Sequence, residues 1–130
     1  VVAEHIFGLM FAVAKRAAFL TRQVKNGQWP RMDNVMLQGK TLGVVDTGNV
    51  GAEMIRLCRG VGMKVVAWTY HPTAERGKDL GVEYVDLDTL LKTADVVSVH
   101  VRLTEDSRHL IGKRELGLMK PGSILLNGAS

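Results

Sequence analysis

Residues 44–54 read VVDTGNVGAEM, a β-branched run that passes through Gly48 and Gly51 into a helical pattern. In the glycine turn that opens a dinucleotide-binding βαβ unit, three glycines have separate jobs. The first permits the tight turn, the second lets the backbone approach a pyrophosphate, and the third lets helix and strand pack closely. Gly48 and Gly51 stand at the second and third places, and Asp46 stands at the first. The pattern is incomplete, but its context fits: a β-branched strand precedes it, an amphipathic helix follows, and a second β-branched run ends at Trp68. A helix that starts near Asn49 and Val50 aims unpaired amides and a partial positive charge at an anion.

Asp46 admits two readings. A carboxylate about 5 Å from a phosphate, at an effective dielectric near 20, is repelled by roughly 3 kcal/mol, or about a hundredfold in affinity. Alternatively, because Asp tolerates unusual backbone angles, the turn still forms and the side chain points outward or caps the helix itself. The end of the second strand matters equally. Sites that prefer NAD carry an Asp or Glu about 20 residues past the turn to hold the ribose 2′-hydroxyl. This chain reads VVAWTYHP there, with Thr69 in the acidic place and Tyr70 and His71 after it. Without that carboxylate a 2′-phosphate is not repelled, so NADP is permitted beside NAD, with Arg76 and His71 as the nearby cations. Tyr70 and His71 also read as a plain surface turn before Pro72.

Outward from the turn the alternation continues. Short β-branched runs at 41–45, 64–68, 82–85, 95–99 and 123–126 alternate with helical stretches at 50–61, 73–80, 87–93 and 113–119. VVSV and ILL are continuous apolar runs, the mark of strands covered on both faces. Strand, helix, strand, repeated, implies right-handed crossovers. The expected fold is therefore α/β: a doubly wound, Rossmann-like parallel sheet of about five strands with helices on both faces.

A long N-terminal helix precedes it. At 100° per residue, Leu9, Leu20, Val13, Ile6, Val24, Ala17, Met10, Ala14, Phe7, Ala18 and Phe11 fall on one arc of roughly 200°, with charged residues opposite. One-sided packing needs about half that width. The helix is expected to face its own domain and either another domain or a second subunit; a helix sunk in a groove of its own domain is the alternative. Asn26 and Gly27 end it, and Trp29-Pro30 opens a connector. The division expected is 1–25 interface helix, 26–40 connector and 41–130 nucleotide-binding domain, incomplete and without a substrate domain. Beginning VVAEH without an initiator Met and ending LNGAS, the sequence reads as cut from something longer.

Composition narrows the function classes. The 130 residues carry 17 Lys and Arg against 13 Asp and Glu, scattered rather than clustered, so no track for nucleic acid is expected. Glu4, His5, Lys15 and Arg16 interrupt the apolar N-terminal stretch, which argues against a membrane span. Cys58 is the one cysteine, which points to a reducing compartment and the cytoplasm. It reads as a small buried hydrophobe, the methionines (Met32, Met36, Met54 and Met63 among them) as core filling, and Lys113, Arg114 and Glu115 as a solvated helix face. No metal-ligand spacing and no GxSxG nucleophile turn occur.

Three segments together, LLKTADVVSVH, LTEDSRHLIG and LMKPGSILLN, following GVVDTGNVGAEMIRLCRGVGMKVVAW, resemble the cofactor-binding domain of the D-isomer-specific 2-hydroxyacid dehydrogenases. The resemblance covers essentially the whole chain. It implies that the opening helix lies at a dimer interface and that Gly48, Asn49, Val50 and Gly51 lie against the pyrophosphate. It further implies that Thr69, Tyr70 and His71 lie against the adenosine ribose, and that His100, Val101 and Arg102 border the adenine. Arg102 departs from the proline common in the family. Ser107 matches a hydroxyl position near the cofactor, and Asn127, Gly128 and Ala129 approach the nicotinamide.

By the same resemblance, the arginine that binds the substrate carboxylate follows the LLN segment, and the acid/base histidine with its glutamate lies farther on. None of His5, His71, His100 and His109 takes that role, and neighbouring Glu4 and His5 point about 100° apart on their helix. The expectation is a NAD-binding domain, with NADP permitted, of an oxidoreductase acting on D-2-hydroxy acids, inactive as this chain alone. The alternatives are a non-catalytic NAD(H)-sensing or dimerisation module, and a Rossmann domain whose ligand binding Asp46 has weakened.

Overall fold

The β-branched runs become five parallel strands: β1 (Thr41–Val45), β2 (Lys64–Trp68), β3 (Glu83–Tyr84), β4 (Val96–Val99) and β5 (Ile124–Asn127). The helices are α1 (Val2–Ala14), α2 (Asn49–Gly60), α3 (Ala74–Leu80), α4 (Leu87–Thr93) and α5 (Lys113–Leu118). This computed structural model describes residues 2–15, 25–27, 36–102, 104 and 109–128. Most of the connector, the far half of the expected N-terminal helix, Ser107 and Ala129 lie outside the described residues.

The strand order is β3-β2-β1-β4-β5. β1 pairs with β2 on one side and β4 on the other, so the chain reverses its direction of travel across the sheet at β1. That reversal opens a crevice at the carboxyl ends of β1 and β4, where open α/β sheets place ligands.

Two apolar layers sandwich the sheet. On one face Leu42, Val44, Val96, Ile124 and Leu126 pack with Met54, Ile55 and Cys58 of α2 and with Ala3, Ile6, Met10 and Ala14 of α1. On the other, Val45, Val97 and Val99 pack with Leu90, Leu91 and Ala94. Helices on both faces explain why β4 is buried at every residue. The second layer is tight: a Cβ on Gly43 would fall 2.6 Å from Leu90 Cδ2 and 2.9 Å from Ala94 Cβ, so glycine lets α4 lie directly on β1.

Two sequence expectations change. The run ILL is not covered on both sides, because α1 lies over Ile124 and Leu126 while Leu125, on the opposite face, is 41% exposed. Met36 is 65% exposed rather than core filling, since it precedes the sheet instead of lying under it. Met10, Met54 and Met63 are buried, as is Cys58.

In α1 the buried residues Ala3, Ile6, Met10 and Ala14 recur every three or four positions and face α2 and β5. Leu9 and Val13, on the flank of that stripe, remain 46% and 53% exposed. At the amino ends of the strands Asp95 acts as a clasp. Its carboxylate accepts from Thr41 N–H at 2.9 Å and from Lys120 Nζ at 3.0 Å, and its own N–H donates to the Thr41 carbonyl at 2.8 Å. The Asp95 carbonyl in turn accepts from Ile124 N–H at 3.0 Å, tying β1, β4 and β5 together at their base.

Candidate functional site

Asp46 follows β1 with φ at +80°, and among the described residues no other non-glycine has a positive φ. Asp is one of the few residue types for which this backbone state is tolerable. The Asp46 N–H donates to the Trp68 carbonyl at 2.7 Å, extending the pairing of β1 with β2 by one step. Its carboxylate accepts from the Thr69 hydroxyl at 3.2 Å. It does not cap α2: the N-cap is Gly48, and no side chain bonds the amides there. The sequence reading of Asp46 as a helix cap is therefore corrected. The Thr69 hydroxyl, at the end of the neighbouring strand, holds the side chain on the β2 side of the turn.

The two glycines separate cleanly. A Cβ on Gly51 would lie 2.3 Å from the Asp46 carbonyl oxygen, so this position must be glycine for α2 to approach β1. A Cβ on Gly48 would meet nothing within 4 Å. With φ at −67°, Gly48 is not needed for the backbone either. Open space thus borders the N-cap of α2, whose first-turn amides have no side-chain acceptor. Open space beside uncapped amides has the chemistry to receive an anionic acceptor.

The turn is braced from the side. Thr47 is buried, with its hydroxyl 2.5 Å from the Tyr84 hydroxyl of β3. Arg76 of α3 donates to the Thr47 carbonyl at 2.9 Å. Sequence reasoning missed Thr47 and Tyr84 as site residues. The available signal was Tyr84 in a short inward strand, since a covered tyrosine needs a partner for its hydroxyl.

At the end of β4, His100 N–H donates to the Val45 carbonyl at 2.9 Å, and its Nε2 lies 2.7 Å from Ser98 Oγ. Its Nδ1 is buried with no hydrogen-bond partner among the described residues. Burial pushes the imidazole down to about 4, against the opposing pull of Asp46, so it is neutral at pH 7. Gly128, at the end of β5, sits beside it: a Cβ there would fall 2.4 Å from Ile6 Cδ1 and 3.1 Å from His100 Nδ1. Helix α1 thus closes over the ends of β4 and β5.

Asp46, Tyr70, His71, Val101, Arg102 and Thr104 line an open cleft of about 690 Å³, solvent space included. Tyr70 stacks edge-on against Trp68 with ring centres 4.7 Å apart. The structure therefore brings the sequence-predicted residues to one rim: Gly48, Asn49, Val50 and Gly51 after β1, Thr69 to His71 after β2, His100 to Arg102 after β4, and Asn127 with Gly128 at β5. Among the described residues there is no group of His, Cys, Asp and Glu able to hold a metal ion, and no helix long and apolar enough to cross a membrane.

Residues 7–130 match the family described as "D-isomer specific 2-hydroxyacid dehydrogenase, NAD binding domain". The chain belongs to this family. It is 45% identical over 130 residues to a hydroxypyruvate reductase of Thermotoga maritima, which covers 98% of the chain and 42% of that protein. It is 38% identical over 134 residues to a glyoxylate reductase of Thermococcus litoralis, covering 96% of the chain and 40% of that protein. The apo structure of D-lactate dehydrogenase from Escherichia coli superposes with a TM-score of 0.89 at 35% identity, over 98% of the chain and 41% of that structure. The chain thus spans about 40% of the length of these relatives. As a member of this NAD-binding domain family, the chain has a nicotinamide dinucleotide as its cofactor. The five-stranded parallel sheet expected from the sequence is the fold of these dehydrogenases.

Proposed function

We propose that the crevice at the carboxyl ends of β1, β2, β4 and β5 holds the cofactor of a dehydrogenase that interconverts small D-2-hydroxy acids and 2-keto acids. The first-turn amides of α2, from Asn49 to Gly51, receive the pyrophosphate across Gly48. Thr69, Tyr70 and His71 flank the adenosine ribose, and Val101 and Arg102 form the adenine side. Asn127 and Gly128 lie toward the nicotinamide, and we extend that role to Ala129 and a part in cofactor binding to Ser107. Bound there, the nicotinamide supplies or accepts the hydride. The chain's own part is to bind, orient and exclude water. The substrate's carboxylate clamp and the proton donor are assigned to no residue of this chain, so the reaction belongs to this domain together with a substrate domain.

The observation that carries the reading is the free space over Gly48 beside the crowding at Gly51. It yields a direct test. Gly48→Ala should leave the melting temperature of the nucleotide-free chain unchanged and weaken NADH binding by about tenfold or more in a fluorescence titration. Unaltered NADH affinity in a folded Gly48→Ala protein would remove the pyrophosphate from this turn.

The dimer belongs to the same proposal. One flank of α1 packs on its own domain while Leu9 and Val13 stay uncovered, which supports a second copy of the chain as the partner. We keep the domain division at 1–25, 26–40 and 41–130. The single cysteine supports a reducing, cytoplasmic setting.

A further inference from the structure

Asp46 is the one acidic side chain lining the cleft among the described residues, and it comes from an unusual place. Sites that select NAD present an acid at the end of the second strand, where it accepts a hydrogen bond from the ribose 2′-hydroxyl. Thr69 occupies that place here. The register that sets Val45 opposite Trp68 continues one step through the Asp46 N–H, so Asp46 and Thr69 stand side by side on adjacent parallel strands. The Thr69 hydroxyl donates to Asp46 Oδ1 at 3.2 Å, and no other side-chain hydrogen bond to the carboxylate occurs among the described residues. The left-handed backbone and this bond carry the acid to the β2 side of the turn, away from the amides of α2, which it does not cap.

We propose that Asp46 is the ribose-binding acid of this domain: its carboxylate, steadied by Thr69, accepts hydrogen bonds from the adenosine ribose and makes the site select NAD(H) over NADP(H). The proposal rests on the reading of the crevice as the cofactor site. A carboxylate one hydrogen bond away from residue 69 reaches the same hydroxyl that an acid at residue 69 would reach. Thr69 occupies one oxygen and leaves the other for the ribose. A 2′-phosphate carries a charge of about −1.5 to −2 at neutral pH, and the same carboxylate repels it. Of the nearby cations, one is already engaged. Arg76 is turned to the Thr47 carbonyl at 2.9 Å, while His71 and Arg102 line the same cleft as Asp46. In place of a turn glycine, the chain has an acid that does the work usually given to the second strand.

The test is to titrate NADH and NADPH into the chain, into Asp46→Asn, and into a double variant with Asp46→Gly and Thr69→Asp. Asn keeps the size of Asp and its tolerance of a left-handed backbone, and thermal melts verify that the turn's host remains folded. The unchanged chain should bind NADH about tenfold or more tighter than NADPH. Asp46→Asn should lose most of that preference through weaker NADH binding. The double variant, which returns the acid to the second strand, should regain it. Equal affinity of the unchanged chain for both nucleotides, or preference for NADPH, overturns the proposal. Asp46→Asn strengthening both nucleotides alike also overturns it, since that is the signature of a carboxylate repelling the diphosphate. Absence of NADH binding in all three proteins instead overturns the cofactor-site reading, and this proposal with it, so the two failures are distinct.

Discussion

His100 has Nε2 on Ser98 and Nδ1 buried beside Gly128, and burial lowers its pKa from the ordinary 6.5 to about 4. Between those values the unfolded chain binds a proton that the folded chain does not. Stability from this residue is therefore complete above the unfolded value and falls as pH drops from 6.5 toward 4, by about 3 kcal/mol at most. Urea melts at pH 7.5 and 4.5 should show this loss in the unchanged chain and a smaller one in His100→Gln; equal losses would refute the assignment. Asp95 acts in a lower window. Burial disfavours its charge, but the Thr41 N–H and Lys120 outweigh that and hold its carboxyl below the usual 3.8, so its contribution is lost only as pH falls further. At this scale the sequence was partly readable. Gly51 could be assigned from spacing, because it stands where α2 passes closest to β1. The bond from Thr69 to Asp46 could not, because it joins residues 23 apart through a strand register that exists only once β1 and β2 pair.

Among the elements, α1 shows most clearly how pattern and packing relate. Its apolar arc is wide because two stripes lie side by side: Ala3, Ile6, Met10 and Ala14 under its own domain, and Leu9 with Val13 beside them in the open. Replacing Leu9 and Val13 by Lys touches only the open stripe. In light scattering, the double variant should be monomeric at concentrations where the unchanged chain is dimeric, with its melting temperature little altered. A monomeric unchanged chain at high concentration would remove the dimer. The strands teach the converse lesson. Expected and observed strand limits agree to within about a residue, because β-branched runs bounded by glycine and charge define them well. The coverage of β5 did not follow from its composition, since ILL looks alike whether one helix layer or two lie over it, and here Leu125 is left out.

At the scale of the molecule, the strand order decides where binding can occur; the parallel, doubly wound sheet was readable because repeated strand-helix alternation implies right-handed crossovers, whereas the order itself emerged only from the structure. The two ends of that sheet are built differently. At the base, the Asp95 clasp joins β1, β4, β5 and Lys120 through short links. At the rim, the first-turn amides of α2 have no side-chain cap, and His100 keeps a ring nitrogen without a partner among the described residues. Backbone amide exchange should accordingly be slowest in 41–43 and 95–97 and faster around 48–52, with NADH slowing the second group and leaving the first as it was; equal slowing of both would contradict it. The clasp at Asp95 thus divides labour along β1, β4 and β5. Since the foundations are fastened without help from the upper loops, the loops are free to be rewritten, and an acid could enter where a glycine was expected without loosening the ground on which the domain stands.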